Sequence, residues 1–421
     1  MKILIINQYA ANLGDRAMLF FLLNELTKNG VKDITVSTHN PYYWSGFKHF
    51  EKTNIRFIPF GWSVCSKNPK PEGIIGRILV IAKNEFYKRV CIPKVRDALL
   101  NGKSPDTVKK FTSRPYWQAV QDANLIIGMG GHRVTTLLVE DALISATYDM
   151  AVALLHKKPL VLWSQTIGPL EFKKDENRQF IKKILTDVKR IYIRDEGSEV
   201  ELKNLGVPLA HVFKTRDSVF GMDDIVTDNS MPLQRGKLVG AAIYIKKRTA
   251  EQMRHYMVSW AHLVDYVTDA GYSVLFFPMG IGGMREMPCI RGIIRRCKNK
   301  DKVSILHGHP EVPEHMNKVA QCRLFVGHKT HSVIFALTAK TPLVAIAYQK
   351  KTEDFMNQFG LGEYCITDSQ LSGDKLVELF VKAEKNIDEI YQKELQWMKR
   401  EAPRVRNDFA KMLTDAQHGF K

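Results

Sequence analysis

Proton transfer and anion binding need few residue types, and this chain of 421 residues gathers them at a handful of places. The densest is Gly327-His-Lys-Thr-His-Ser332, which leads through Pro342 to Tyr348-Gln-Lys-Lys351. A strand ending at Gly327 and a helix beginning near His331 would set an imidazole at a helix N-terminus, where backbone N–H groups favour an anion. With an ordinary pKa near ~6.5 that imidazole can act as general acid or base. Two neighbouring strand ends would then present Lys329, His331, Ser332 and Lys351 to one place; the competing reading is a structural histidine flanked by solvated lysines.

Four other stretches end strands in reactive or ligand-reading groups. Arg194 follows the run Arg190–Ile193, and its planar fork suits a carboxylate or phosphate; its structural alternative is an ion pair with Asp195 or Glu196. Ser164-Gln165-Thr166 precedes the turn Gly168-Pro169, so Gln165 either reads a sugar hydroxyl or bonds the backbone of a turn. Gly128-Met-Gly-Gly131 puts three glycines in four positions, which lets backbone approach a ligand, and His132 and Arg133 follow at once. Near the start, Ala10-Ala-Asn-Leu-Gly-Asp-Arg-Ala17 reads as a tight loop opening a helix, with Asp15 as cap or as a carboxylate at the site. Asp15 and Asp217 are the secondary acid/base candidates. No GxGxxG with a trailing acidic residue is present, which disfavours a dinucleotide dehydrogenase.

Positioning these groups requires strand ends, and the chain supplies them in two series. Strands are expected at Lys2–Ile6, Asp33–Thr38, Ile55–Pro59, Leu125–Gly128, Pro159–Trp163, Arg190–Ile193 and His211–Lys214, with helices such as Asp15–Asn29 and Asp141–His156 between them. A second series runs Leu238–Ile245, Ser273–Pro278, Val303–Leu306, Leu324–Val326 and Leu343–Ala347. Strands alternating with helices specify parallel sheets. The fold class is α/β: two Rossmann-like, doubly wound domains facing a cleft. The boundaries read 1–222 and 237–386, with a polar linker at Asp223–Gly236. Amphipathic helices over 387–421, read as a pair, would pack back on the first domain.

The chain carries 62 Lys and Arg against 44 Asp and Glu, a formal charge of +18, which calls for a polyanionic partner. Residues 67–110 hold eleven basic against four acidic residues, and Ile74, Ile75, Ile78, Leu79, Ala82 and Phe86 recur there at helical spacing. That pattern is either a basic amphipathic helix on an anionic bilayer or an inserted helix packing its stripe on the domain. Six scattered cysteines without a CxxC pair offer no disulfide framework and no zinc site, and point to a reducing, cytoplasmic setting. No apolar run reaches the ~20 residues of a spanning helix.

Taken together, Asn12-x-Gly14-Asp15, Gly130-Gly131, Gln165-x-x-Gly168-Pro169, Arg194-Asp195-x-x-Ser198, Asp217 and His331-Ser332 through Pro342 to Tyr348-x-x-Lys351 resemble the polysaccharide pyruvyl transferase family. The resemblance spans most of the chain. It implies a GT-B-like enzyme that transfers pyruvate from phosphoenolpyruvate to a sugar as a cyclic ketal, in capsule, exopolysaccharide or cell-wall polymer synthesis. It implies that His331 is the catalytic histidine and that Arg194 and Lys351 serve phosphoenolpyruvate binding or catalysis. Asp15 completes the catalytic set, and Asn12, Gly130, Gly131, His132, Arg133, Gln165, Lys329 and Ser332 complete the substrate-binding set. Where the family has Arg two residues before the histidine, this chain has Lys329; where it has Glu after Gly-Asp, this chain has Arg16. The expected partners are phosphoenolpyruvate and a lipid-diphosphate-linked sugar, with an anionic membrane surface and without nucleic acid; no cofactor or metal is expected. The competing functions are a GT-B glycosyltransferase, with Gly280-Ile-Gly-Gly283 and Arg285 holding a nucleotide-sugar diphosphate, and a non-catalytic binder of membrane or nucleic acid.

Overall fold

The computed structural model describes residues 1–9, 12–44, 50, 53–62, 78, 81–83, 85–137, 140–227, 230–280, 286–307 and 311–420. Two units are distinguished. One comprises Met1–Ala10, Met18–Ser218 and Val405–Lys421; the other comprises Ala11–Ala17 and Val219–Arg404.

The first unit is built on β1 (Lys2–Gln8), β2 (Asp33–Thr38), β3 (Asn54–Pro59), β4 (Leu125–Gly128), β5 (Gly131–Val134), β6 (Leu160–Ile167), β7 (Arg190–Ile193) and β8 (Val212–Lys214). The order is β3-β2-β1-β4-β6-β7-β8, with β5 beside β6, and every pairing is parallel. The second unit carries β9 (Leu238–Ala242), β10 (Ser273–Phe276), β11 (Val303–Ile305), β12 (Leu324–Gly327), β13 (Leu343–Ala347) and β14 (Cys365–Thr367), all parallel in the order β11-β10-β9-β12-β13-β14. Both sheets reverse their winding beside the first strand, between β1 and β4 and between β9 and β12. At such a switch point the strand C-termini open a crevice for ligands.

Central strands read as unbroken apolar runs because both faces are covered: β4, β12 and β13 are buried at every position. The runs expected from the sequence match the strands closely. The structure adds β5 and the three-residue β14. β6 runs on to Ile167, so Ser164, Gln165 and Thr166 lie within the strand and not beyond its end.

Three corrections concern helices and the linker. The helix expected over Asp141–His156 is two helices, Glu140–Ala146 and Tyr148–Leu155. Between them the Thr147 hydroxyl donates to the carbonyls of Leu143 and Ile144, a back-bond that competes with the helical ladder. The tail is one helix, Ile387–Gln417, with Pro403 inside it, rather than a pair. Its early turns bring Trp397 onto Phe359 at 4.0 Å between ring centroids, and its later turns bring Phe409 to 4.9 Å from Trp163. The segment 223–236 is anchored in the second unit: buried Arg235 donates to the carbonyls of Ser230, Cys322 and Lys340 and to Thr341 Oγ1. Of the apolar recurrence in the basic insertion, Ile74, Ile75 and Leu79 lie outside the described residues, as do 281–285 of the loop read as a diphosphate holder.

Candidate active site

The winding-reversal edge of the second sheet holds the histidine. β12 ends at Gly327, Lys329 stands in extended conformation at the N-cap, and the helix Thr330–Thr338 starts there. β13 ends at Ala347, Gln349 is the next N-cap, and the helix Lys350–Gln358 follows. The two helix starts are tied together: Gln349 Nε2 donates to Thr330 Oγ1 at 3.0 Å, and the Thr330 and Thr352 hydroxyls share a 2.8 Å hydrogen bond. Adjacent parallel strands thus aim two helix N-termini the same way, with half-buried His331 on the first and half-buried Lys351 on the second.

The N-terminal motif joins this edge. Residues 11–17 belong with the second unit. Leu13 N–H donates to the Met279 carbonyl at 2.9 Å, and Asn12 bridges Gly280. Gly14 lies against the imidazole: a Cβ added there would stand 2.1 Å from His331 Cγ. Only a residue without a side chain lets the turn approach the ring so closely. Glu286, nearly buried, accepts from the amides of Met279 and Gly280 through Oε2, and its Oε1 lies 3.6 Å from Lys329 Nζ. Arg16 lies 3.3 Å from Glu311, and burial pulls its pKa below the ordinary arginine value. The structure thus brings Asn12, Gly14, Lys329 and His331 to one edge. The cap of the helix Leu13–Lys28 is Asn12 and not Asp15: Asn12 Oδ1 accepts from the Asp15 amide at 2.9 Å, and Asn12 Nδ2 donates back to the Asp15 carboxylate at 2.5 Å. Ser332 is fully buried, and its hydroxyl donates to the Lys329 carbonyl at 2.7 Å, which turns it into a fastener of the N-cap.

The remaining expected residues gather at the corresponding edge of the first sheet. The glycines there serve packing first. A Cβ on Gly130 would press on the backbone carbonyls of Trp163 and Ser164 at 2.9 and 2.8 Å, and Gly131 has φ +131°. His132 Nε2 donates to the Gly168 carbonyl, and the Arg133 guanidinium lies 4.0 Å from the Tyr9 ring centroid. Gln165 is buried and donates to the carbonyls of Gly128 and Met129; its Oε1 has no hydrogen-bond partner among the described residues. Arg194 is the clearest departure from expectation. It is 2 % exposed, pairs with buried Asp217 and donates to Thr166 Oγ1 at 2.9 Å, so its fork is engaged within the unit. Its partner is neither Asp195 nor Glu196. Asp195 instead caps the helix Glu196–Leu205 by accepting from Ser198 N, and Ser198 Oγ in turn accepts from Ile167 N on β6.

Sequence reasoning missed two features. Asn7, at the end of β1, has φ +68° and Ser164 has φ +52°; both are buried, and Asn7 Nδ2 has no hydrogen-bond partner among the described residues. Strain and unsatisfied polar groups concentrate where ligands bind. A strand running straight into Asn, which tolerates the left-handed region, was the only signal. The second feature is His328, fully buried with Nδ1 2.9 Å from Tyr256 Oη and Nε2 2.9 Å from Asp368 Oδ1. Burial lowers its pKa, with Asp368 opposing, so it is a neutral strut. Burial would raise the pKa of Asp368, but hydrogen bonds from His328 and Lys246 hold it well below the carboxylate range. That carboxylate fixes Lys246 and Arg248 beside the stacked rings of Tyr244 and Tyr348.

Fold and site together describe a GT-B-like α/β protein with a histidine at a helix start. The chain belongs to the polysaccharide pyruvyl transferase family, whose model matches residues 12–350. It is 22 % identical over 388 residues to the amylovoran biosynthesis protein AmsJ of Erwinia amylovora, covering 86 % of this chain and 87 % of that protein. Among solved structures, UDP-GlcNAc 2-epimerase from Neisseria meningitidis bound to UDP-GlcNAc superimposes with a TM-score of 0.59 at 9 % identity, over 99 % of this chain and all of that one. Anabaena Alr3699/HepE in complex with UDP gives 0.57 at 12 % identity, over 99 % and 100 %. At such identities the likeness is one of fold. The two competing functions lose their footing, because the glycosyltransferase reading shares only the fold and family membership makes the chain a transferase.

Proposed function

We propose that the chain transfers pyruvate from phosphoenolpyruvate to a sugar of a lipid-linked exopolysaccharide precursor, closing a cyclic ketal. The approach of Gly14 to the His331 ring carries the reading, because it sets the imidazole between two family motifs at an anion-favouring helix start. The name of the Erwinia relative supports an exopolysaccharide setting.

The chemistry asks for one proton carrier and a cationic cradle. The methylene carbon of phosphoenolpyruvate takes a proton, which leaves an oxygen-stabilised cation at C2. A sugar hydroxyl attacks C2, the bond from C2 to the phosphate oxygen breaks, and a second hydroxyl closes the ring. One hydroxyl proton ends on the new methyl group and the other on the released phosphate. His331 relays the first. Lys351, Lys329 and the two helix N-termini receive the carboxylate and phosphate. Arg194 is left out of this cradle, since it is almost wholly buried against Asp217, whereas Lys329, 3.6 Å from Glu286, stays partly exposed.

His331→Ala should abolish phosphate release from phosphoenolpyruvate in the presence of acceptor; near-normal turnover would sink the assignment. Phosphoenolpyruvate should also raise the melting temperature where UDP- and GDP-sugars do not. Stabilisation by a nucleotide sugar alone would return the glycosyltransferase reading.

A further inference from the structure

The basic insertion presents an apolar face that the fold does not use. Residues 78, 81–83, 85 and 86 are helical and lead through a π turn at Tyr87–Cys91 into the helix Ile92–Leu100. One side of this run is fully occupied. Tyr87 is 6 % exposed, stacks on Trp62 at 4.6 Å and packs on Tyr148 at 5.2 Å; Cys91, Ile92 and Val95 continue that side into the core. Ile78, Ile81 and Phe86 are 57, 61 and 55 % exposed, and Ala82 is exposed as well. A stripe that served only to seat the insertion would have buried Ile78 and Phe86, and it does the reverse.

The surrounding charge says what covers this face. Lys83, Lys88, Arg89 and Lys94 are exposed on the same run, and Lys103, Lys109 and Lys110 follow it; among the described acids there, half-buried Glu85 is paired with Arg89 at 3.0 Å, Asp97 is paired with Lys103 at 2.6 Å, and Asp106 is exposed. Aliphatic and aromatic side chains surrounded by lysines are complementary to an anionic interface, where apolar groups enter the headgroup boundary and ammonium groups stay among the phosphates. A folded protein partner would need the cations matched individually by carboxylates. No described helix is long and apolar enough to cross a membrane, so contact would be made from one side.

We propose that Ile78, Ile81 and Phe86, ringed by Lys83, Lys88 and Arg89, form a docking surface for an anionic lipid bilayer. This attachment is separate from the chemistry at His331 and stands whatever the donor proves to be.

The test is co-sedimentation of the full chain with vesicles of phosphatidylglycerol and phosphatidylcholine, against vesicles of phosphatidylcholine alone. Wild type should bind the anionic vesicles and lose at least about tenfold in partitioning when salt is raised from 0.05 to 0.5 M, as polybasic attachment requires. The triple variant Ile78→Glu, Ile81→Glu, Phe86→Glu should lose a similar factor at low salt while keeping its circular dichroism. Absence of binding by wild type, equal binding to neutral vesicles, or undiminished binding by the triple variant overturns the proposal. Sedimentation velocity adds a further check: a wild-type dimer abolished in the triple variant would assign the face to a second copy instead. Should the triple variant misfold, Ile81→Cys carrying an environment-sensitive dye keeps the question open to decision. Its emission should shift to the blue with anionic vesicles, and an unshifted emission counts against the proposal.

Discussion

A positive charge at a strand end reads in the sequence as an anion receptor, but at Arg194 the fold has already supplied the anion. Arg194 and Asp217 are both almost wholly buried and paired. Removing one partner of a buried pair leaves a bare charge, so Asp217→Ala or Arg194→Ala should destabilise the first unit by about 3–5 kcal/mol. Replacing both with Met and Leu should cost much less, and urea denaturation of the three variants checks this. An unchanged midpoint for Arg194→Ala with a raised KM for phosphoenolpyruvate would return that residue to the substrate. Gly14→Ala belongs to the same scale. Its Cβ would overlap the His331 ring at 2.1 Å, so the turn or the imidazole must move. Turnover should fall by about 10²-fold or more, as misplacing a catalytic group by an ångström does, while circular dichroism stays native; near-normal kcat would show that the ring's position is not critical.

Elements carry their own hidden groups. The helix Ile387–Gln417 places Glu394 fully out of solvent, with neither carboxylate oxygen hydrogen-bonded among the described residues. Burial pushes its pKa well above the ordinary value, with Arg235 and Lys340 opposing. A carboxyl whose folded pKa is raised stabilises the fold most below its unfolded pKa of about 4.3, and that contribution is lost as pH rises. Glu394→Gln should therefore match wild type in melting temperature at pH 5 and exceed it at pH 8. A constant difference across that range would show that Glu394 does not titrate differently on folding. This helix also marks what the sequence could and could not convey. Its amphipathic period was plain, but it was read as a pair of helices where one continues through Pro403. Long interior strands such as β6 and β13 were legible because burial on both faces writes a continuous apolar run. β14 was not, because Cys-Ile-Thr holds a single buried apolar residue and makes no apolar run. At the site, His331 and the glycine turn were legible one by one. Their meeting was not, nor was the pairing of Arg16 with Glu311 across 295 residues. The partner of Arg194 was not legible, because spacing reveals a strand end but not the buried carboxylate of Asp217 beside it.

Each unit also encloses a buried titratable group, Asp149 in the first and His315 in the second, and these two act in opposite directions on stability. In the first unit Asp149 is buried, accepting from Ser37 Oγ at 3.1 Å and from Gly61 N at 3.0 Å; burial raises its pKa to about 7 despite both hydrogen bonds. Its contribution is complete below about pH 4 and is lost as pH climbs to about 7, a change of order 4 kcal/mol at about 1.4 kcal/mol per pH unit. In the second unit His315 is buried between Phe277 and Phe335, at 5.2 and 5.6 Å, and burial lowers its pKa to about 3. A lowered base behaves in the opposite sense: its contribution is complete above about pH 6.5 and is lost as pH falls towards 3. Asp149→Asn mimics the protonated carboxyl, with an amide that can donate to Ser37 and an oxygen that can accept from Gly61. Its stability relative to wild type should rise steadily from pH 4 to pH 7, whereas that of His315→Leu should rise as pH drops below 6.5. Each change removes one titration and leaves the other in place, so calorimetry of the two variants across pH 4–8 should give difference curves of opposite slope. Parallel slopes would mean that at least one of these groups keeps its ordinary pKa in the folded chain.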